Sequence, residues 1–191
     1  MRIGVVVSGK GSNLRNLVDR GFEVVAVATN RPSCGGAAFA RERGIPLGEL
    51  SLKRFASEEE RDRAMRDFFR SHSVELIVDA GYDRIHTRPL LEAYRDRIVN
   101  IHPSLLPEFA GSMDAVEQAL RSGAVVTGAT AHLVTEDLDA GPILAQESVP
   151  VLKDDTVETL RRRIHEAEYR ILPAAIRLLE AKLAESPAVG Q

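Results

Sequence analysis

Asn100 and His102 stand two residues apart at the end of an apolar run, in Asn100-Ile101-His102-Pro103-Ser104-Leu105-Leu106-Pro107. In an extended segment such positions face the same side, so an amide and an imidazole enter one volume. At the carboxyl end of a parallel strand that volume is the usual ligand crevice of an open α/β sheet. A lone histidine there also suits a purely structural role. Further along, Val134-Thr135-Glu136-Asp137-Leu138-Asp139-Ala140-Gly141-Pro142 gathers three carboxylates in a short loop. Glu136 and Asp137 read as a solvated acidic turn; Asp139, beside Ala-Gly-Pro, is the one expected to turn inward. An amide, an imidazole and a carboxylate brought together polarise a carbonyl: the amide donates to it, a charged imidazole meets the developing oxyanion, and the carboxylate holds the imidazolium. A substrate carrying its own amine then needs no serine or cysteine nucleophile.

A second feature is Gly9-Lys10-Gly11-Ser12-Asn13. A glycine-rich turn between a first strand and a first helix aims backbone N–H groups and the positive end of the helix dipole at one point, which suits phosphate. It equally suits tight packing. The dinucleotide fingerprint fails for want of a third glycine, and the P-loop pattern fails on spacing. Cys34, the only cysteine, has no partner for a disulfide and no Cys/His cluster for zinc, and reads as a small loop residue rather than a reactive thiol.

The elements that must position these residues alternate. Strands are expected at Arg2 to Ser8, Glu23 to Asn30, Val74 to Ala80 and Arg97 to Ile101. Helices are expected after the glycine turn, over Ala37 to Arg43, from the Ser57 cap onward, over Pro89 to Tyr94 and over Asp114 to Arg121. Val125 to Val134 and Ile143 to Val151 then form two adjacent strands, an antiparallel edge addition. Thr156 to Leu183 forms a long amphipathic helix bent near Pro173. The expected architecture is an α/β fold: an open, mainly parallel, Rossmann-like sheet with helices on both faces, the antiparallel edge extension and the long C-terminal helix. Residues 1–185 read as one domain and 186–191 as a flexible tail.

With 191 residues, 44% of them hydrophobic and 28% charged, the chain has the balance of a globular protein. A net charge of −3 gives no general electrostatic case for nucleic acid or a membrane surface. No apolar run approaches the ~20 residues that span a bilayer, and the first residues enter a strand pattern without a signal-peptide layout. A cytoplasmic protein is expected.

Taken together, Ser8 to Leu14, Ala80-Gly81-Tyr82, Asn100 to Pro107, Gly128 to Val134, Asp137 to Pro142 and Glu168 resemble the phosphoribosylglycinamide formyltransferases, folate-dependent enzymes of purine synthesis. The resemblance covers essentially the whole chain. It implies that Asn100, His102 and Asp139 are catalytic, His102 as proton donor and oxyanion stabiliser and Asp139 as the group that keeps it charged. It implies transfer of a formyl group from 10-formyltetrahydrofolate, a co-substrate, to the amine of glycinamide ribonucleotide, with no metal. Gly11, Ser12, Asn13, Gly81, Pro103 and Glu168 would bind the ribonucleotide. Asp83, Arg84, Ile85, His86, Asn100, Thr135, Glu136, Asp137, Leu138 and Asp139 would receive the folate. Neither nucleic acid nor membrane is an implied partner, and the oligomeric state stays open between monomer and homodimer. Two alternatives share the fold: a formyltetrahydrofolate hydrolase, and a diverged folate or nucleotide binder without catalysis.

The chain departs from the family pattern on the donor side. Asp83 stands where the family has an apolar methionine and His86 where it has leucine, both more polar against a largely apolar pterin pocket. Glu58 replaces an arginine that would contact folate, and the loop Glu108 to Asp114 lacks a histidine and is one residue longer. A carboxylate in an apolar pocket must reach water or find donors, so Asp83 is expected to swing outward and leave the pterin pocket wider and wetter.

Overall fold

Strands buried on both faces need continuous β-branched and apolar runs, and Ile3–Val7 (β1) is buried at every position. The structure, a computed structural model, describes residues 1–185; the expected tail, 186–191, lies outside the described residues. The elements follow in the order β1, α1 (Ser12–Asp19), β2 (Val24–Thr29), α2 (Gly35–Glu42), β3 (Leu47–Glu49), α3 (Glu58–Ser71), β4 (Leu76–Asp79), α4 (Arg88–Ala93), β5 (Ile98–His102), α5 (Ala115–Arg121), β6 (Val126–Leu133), β7 (Ile143–Pro150) and α6 (Val157–Glu185). Seven strands form one mixed sheet in the order β3-β2-β1-β4-β5-β6-β7. The pairs β3-β2, β2-β1, β1-β4 and β4-β5 are parallel, and β6-β7 is antiparallel. Strand β3 is an element the sequence reading lacks. Its three residues follow Gly44-Ile45-Pro46 and are too few to show a period.

The chain divides into two compact units, Met1–Asn100 with Leu133–Gly141, and Ile101–His132 with the chain from Pro142 on. In the first unit the core gathers Val6, Ala26, Ala28, Met65, Phe69, Ile77, Leu90, Tyr94 and Ile98. Helix α3 begins where Ser57 caps it, its hydroxyl accepting from the Glu60 N–H at 3.2 Å, and three glutamates occupy its first turn, where the helix dipole favours negative charge. Cys34 caps α2 in the same way, its Sγ accepting from the Ala37 N–H at 3.4 Å.

In the second unit, α6 buries Leu160, Ile164, Ala167, Ile171, Ala175 and Leu179 along one stripe, and it packs on β7 and α5. The helix continues through Pro173. Among the described residues no helix is long and apolar enough to cross a membrane.

Candidate active site

The glycine turn leaves β1 and enters α1 through Gly11, which adopts φ 75°, ψ 28°, a left-handed conformation costly to any residue with a Cβ. A second reason for glycine is contact with the start of α2. A Cβ on Gly11 would sit 2.5 Å from the Gly36 Cα, one on Gly35 2.8 Å from the Lys10 carbonyl, and one on Gly36 2.8 Å from the Val7 side chain. The Gly36 N–H donates to the Gly9 carbonyl at 3.0 Å. The two backbones therefore interlock with no side chain between them. Gly9 and Lys10 are exposed, Ser12 is half-buried and Asn13 is buried.

Past the end of β4, residues 80–87 carry two of the departures noted above, Asp83 and His86, and at Asp83 the structure differs from expectation. Asp83 does not turn to water; its side chain is only 15% exposed. Asn30 Nδ2 donates to its Oδ1 at 2.7 Å, the Arg31 guanidinium engages its Oδ2, and its own N–H donates to Ser8 Oγ at 3.1 Å. Burial pushes the Asp83 carboxyl up, but the hydrogen bonds with Asn30 and Ser8 and the charges of Arg31 and Arg84 outweigh it and hold it below the usual carboxylate range. The sequence reading treated position 83 as an isolated charge, whereas Asn30 and Arg31 lie ready at the end of β2.

His86 also turns inward. It is 5% exposed, its Nε2 lies 2.9 Å from both oxygens of Asp79, and Tyr82 stacks on it with ring centroids 5.0 Å apart. Burial alone would lower its pKa, but the Asp79 carboxylate and, further off, Asp62 raise it above the ordinary histidine value against the opposing Arg61 charge. Burial also pushes the Tyr82 hydroxyl well up. Two further anchors come from α3: Arg61 Nη2 donates to the Ile85 carbonyl at 3.2 Å, and Asp62 Oδ2 accepts from the Thr87 N–H and hydroxyl. Glu58 faces Arg61, with Oε1 3.7 Å from Nη1. Arg84 and Ile85 remain exposed, as does Gly81, at φ 79°.

Strand β5 carries Asn100, in register with Asp79 of β4. Asn100 Nδ2 donates to Asp139 Oδ1 at 3.5 Å. Asp139 sits at φ 53° and is half-buried, whereas Thr135, Glu136, Asp137 and Leu138 before it are exposed. Thr135 Oγ1 donates to the Asp137 carbonyl at 3.1 Å, closing the turn locally. Its end is fixed at Gly141, where a Cβ would lie 1.8 Å from the Leu133 carbonyl.

His102, the last residue of β5, belongs to the second unit and is 6% exposed. Its Nε2–H donates to the Phe109 carbonyl at 3.2 Å. The proline-bounded loop after it is held by residues that sequence reasoning missed. Thr130 Oγ1 donates to the Ser104 carbonyl at 2.7 Å and accepts from the Leu106 N–H at 3.1 Å, and Gln146 Nε2 reaches both Thr130 Oγ1 and the Leu106 carbonyl. Ser104 Oγ donates to the Glu108 carbonyl at 2.5 Å. Pro103 is half-buried, and Glu168 on α6 is 5% exposed, a depth at which a carboxylate needs partners.

Residues 1–176 match the family model described as formyl transferase. The chain is 41% identical over 184 residues to the trifunctional purine biosynthetic protein adenosine-3 of Homo sapiens, covering 93% of this chain and 18% of that protein; it thus spans under a fifth of those longer relatives. It is 38% identical over 184 residues to phosphoribosylglycinamide formyltransferase of Bacillus subtilis, covering 93% of this chain and 94% of that one. Among solved structures, glycinamide ribonucleotide transformylase 1 from Symbiobacterium toebii superposes with a TM-score of 0.91 at 42% identity, covering 95% of this chain and 88% of that one.

Proposed function

The chain belongs to the formyl transferase family, and from that premise we propose that it transfers a formyl group from 10-formyltetrahydrofolate to the amine of glycinamide ribonucleotide. The amine nitrogen bonds to the formyl carbon, the bond from that carbon to the folate nitrogen breaks, and the proton lost by the amine ends on the departing nitrogen. In this reading Asn100 donates to the formyl oxygen, the His102 imidazolium stabilises the oxyanion and delivers the proton, and Asp139 keeps the imidazole charged. The Gly11, Ser12 and Asn13 turn takes the phosphate, with Gly81, Pro103 and Glu168 completing the ribonucleotide site. The backbone of 83–86 and of 135–139 receives the folate. Small molecules in the cytoplasm are the partners and setting this requires.

The observation that carries the reading is the hydrogen bond between Asn100 and Asp139, which draws inward the one loop carboxylate that the chemistry uses, two residues before His102 on the same strand. Incubating the purified protein with both substrates tests it. Formylated glycinamide ribonucleotide is expected to appear in step with loss of the formyl donor. Formate released with no formylated product would instead identify a hydrolase, and no turnover with retained binding a non-catalytic binder.

A further inference from the structure

Just past the ends of three parallel strands stand Ser8 (β1), Asn30 (β2) and Asp83 (β4). Their polar groups close a ring. Ser8 Oγ donates to Asn30 Oδ1 at 2.7 Å, Asn30 Nδ2 donates to Asp83 Oδ1 at 2.7 Å, and the Asp83 N–H donates back to Ser8 Oγ at 3.1 Å. Each member thus gives one hydrogen bond and accepts one, so the three are linked head to tail in a closed network. Arg31 adds a cation on the second Asp83 oxygen, and its own backbone is fixed by Thr29, whose Oγ1 accepts from the Arg31 N–H at 3.0 Å. The main chain runs the same way, with the Ser8 N–H donating to the Gly81 carbonyl at 3.0 Å.

What the ring joins gives it a role. Ser8 immediately precedes the glycine turn, and Asp83 lies within the segment 81–86. If formyl transfer is the activity, as the preceding reading has it, the first of these would take the acceptor phosphate and the second the donor. We propose that Asp83 is a positioning residue: through Asn30 and Ser8 it locks the donor-binding segment to the base of the phosphate turn, so that one hydrogen-bonded ring sets the geometry of both substrate segments. Its carboxylate contacts the protein rather than the folate. It takes over by charge and hydrogen bonding an anchoring that an apolar side chain would provide by packing. Asn30 and Arg31 become functional positions on the same ground.

The test is a set of variants, Asp83→Ala, Asp83→Met, Asp83→Asn and Asn30→Ala, with KM for each substrate and kcat measured separately and folding checked by circular dichroism. Removing a hydrogen bond to a charged group typically costs about tenfold in affinity or more. Asp83→Ala and Asp83→Met are expected to raise the donor KM about tenfold with kcat within about threefold. Asp83→Asn, whose amide oxygen still accepts from Asn30 but which loses the ion pair with Arg31, should have a donor KM between those of the unaltered protein and Asp83→Ala. Asn30→Ala, which changes no residue of 81–86, should raise both KM values. The Asp83→Ala/Asn30→Ala pair should be no worse than the poorer single variant, because both break the same ring.

A donor KM within twofold of the unaltered protein for Asn30→Ala, or single effects that multiply in the pair, would overturn the proposal. A loss confined to kcat would do the same. Should Asp83→Ala fail to fold, Asn30→Ala and Asp83→Asn decide. If the unaltered protein transfers no formyl group, the activity reading fails by itself. The ring is then judged by hydrogen exchange of the 82–86 amides, which Asn30→Ala must accelerate for the anchoring to stand.

Discussion

Replacing Asp62 by alanine tests how much of the 80–87 segment depends on charges inside the protein. Arg61 and Asp62 side chains are both 0% exposed. Asp62 Oδ1 accepts from Arg61 Nε at 2.9 Å and from Nη2 at 2.8 Å, while its Oδ2 serves both Thr87 donors. Truncation strips the guanidinium of its close partner without giving it water, a loss of ~3–5 kcal/mol for a broken buried pair. In a chain of this size ~1 kcal/mol moves the melting midpoint by about 2–4 °C. The midpoint of Asp62→Ala should therefore fall by roughly 6–20 °C, and that of Arg61→Met by a comparable amount because the carboxylate is then the stranded charge. The Arg61→Met/Asp62→Ala double variant should cost less than the sum of the two, with a coupling of about 1–3 kcal/mol in thermal or urea unfolding. Additive losses, or a single-variant loss under about 1 kcal/mol, would falsify the claim that these charges depend on each other in the interior.

Three other predictions concern the site and its supports. His102→Ala should lower turnover by two or more orders of magnitude, the usual worth of a general acid that also meets an oxyanion, while phosphate binding followed by calorimetry stays intact; unchanged turnover removes the proposed mechanism. Gly11→Ala combines a positive φ with a Cβ 2.5 Å from Gly36 and should destabilise by more than the ~1–2 kcal/mol of the conformation alone, whereas Gly9→Ala, where a Cβ meets nothing within 4 Å, should be nearly silent in the same melt. His86 has a pKa raised above that of a free histidine, so its pairing contributes stability in full below about pH 6.5 and loses it as pH climbs through the folded value. The stability advantage over His86→Gln should accordingly shrink as pH rises above about 6.5 in urea titrations, and an advantage that grows with pH would reverse the assignment.

Most of the sheet was legible because its strands are apolar on both faces and short turns separate them from amphipathic helices. Ser57 announced α3 by its side chain and the glutamates after it. The inward turn of Asp139 was read from its place beside Ala-Gly-Pro, and the residue is half-buried where Thr135 to Leu138 are exposed. The fates of Asp83 and His86 were not, since a polar residue in an apolar setting is ambiguous until its partner is known. For Asp83 that partner is Asn30, 53 residues away; for His86 it is Asp79, only 7 residues away but at the end of a strand that reads as wholly buried. The support of the His102 loop by Thr130 and Gln146 was equally hidden. Both sit on strands where alternation signals burial and says nothing about which hydroxyl or amide meets a distant carbonyl.

The interlocked glycines bear on the timing of an entropy loss. A loop that orders around an anion gives up backbone freedom at every binding event, and the affinity is weakened by that amount each time. Here Gly11 is held against Gly36, and Lys10 against Gly35, by contacts in which even a methyl group has no room. The turn's freedom is spent once, as the chain folds, so a phosphate taken up there, as proposed above, would meet a turn already ordered. Binding should then proceed as a collision with a fixed surface, governed by diffusion and charge rather than by waiting for a rare loop shape. Because the restraint comes from α2 rather than from the turn itself, loosening that helix would slow capture without altering any residue that touches the ligand.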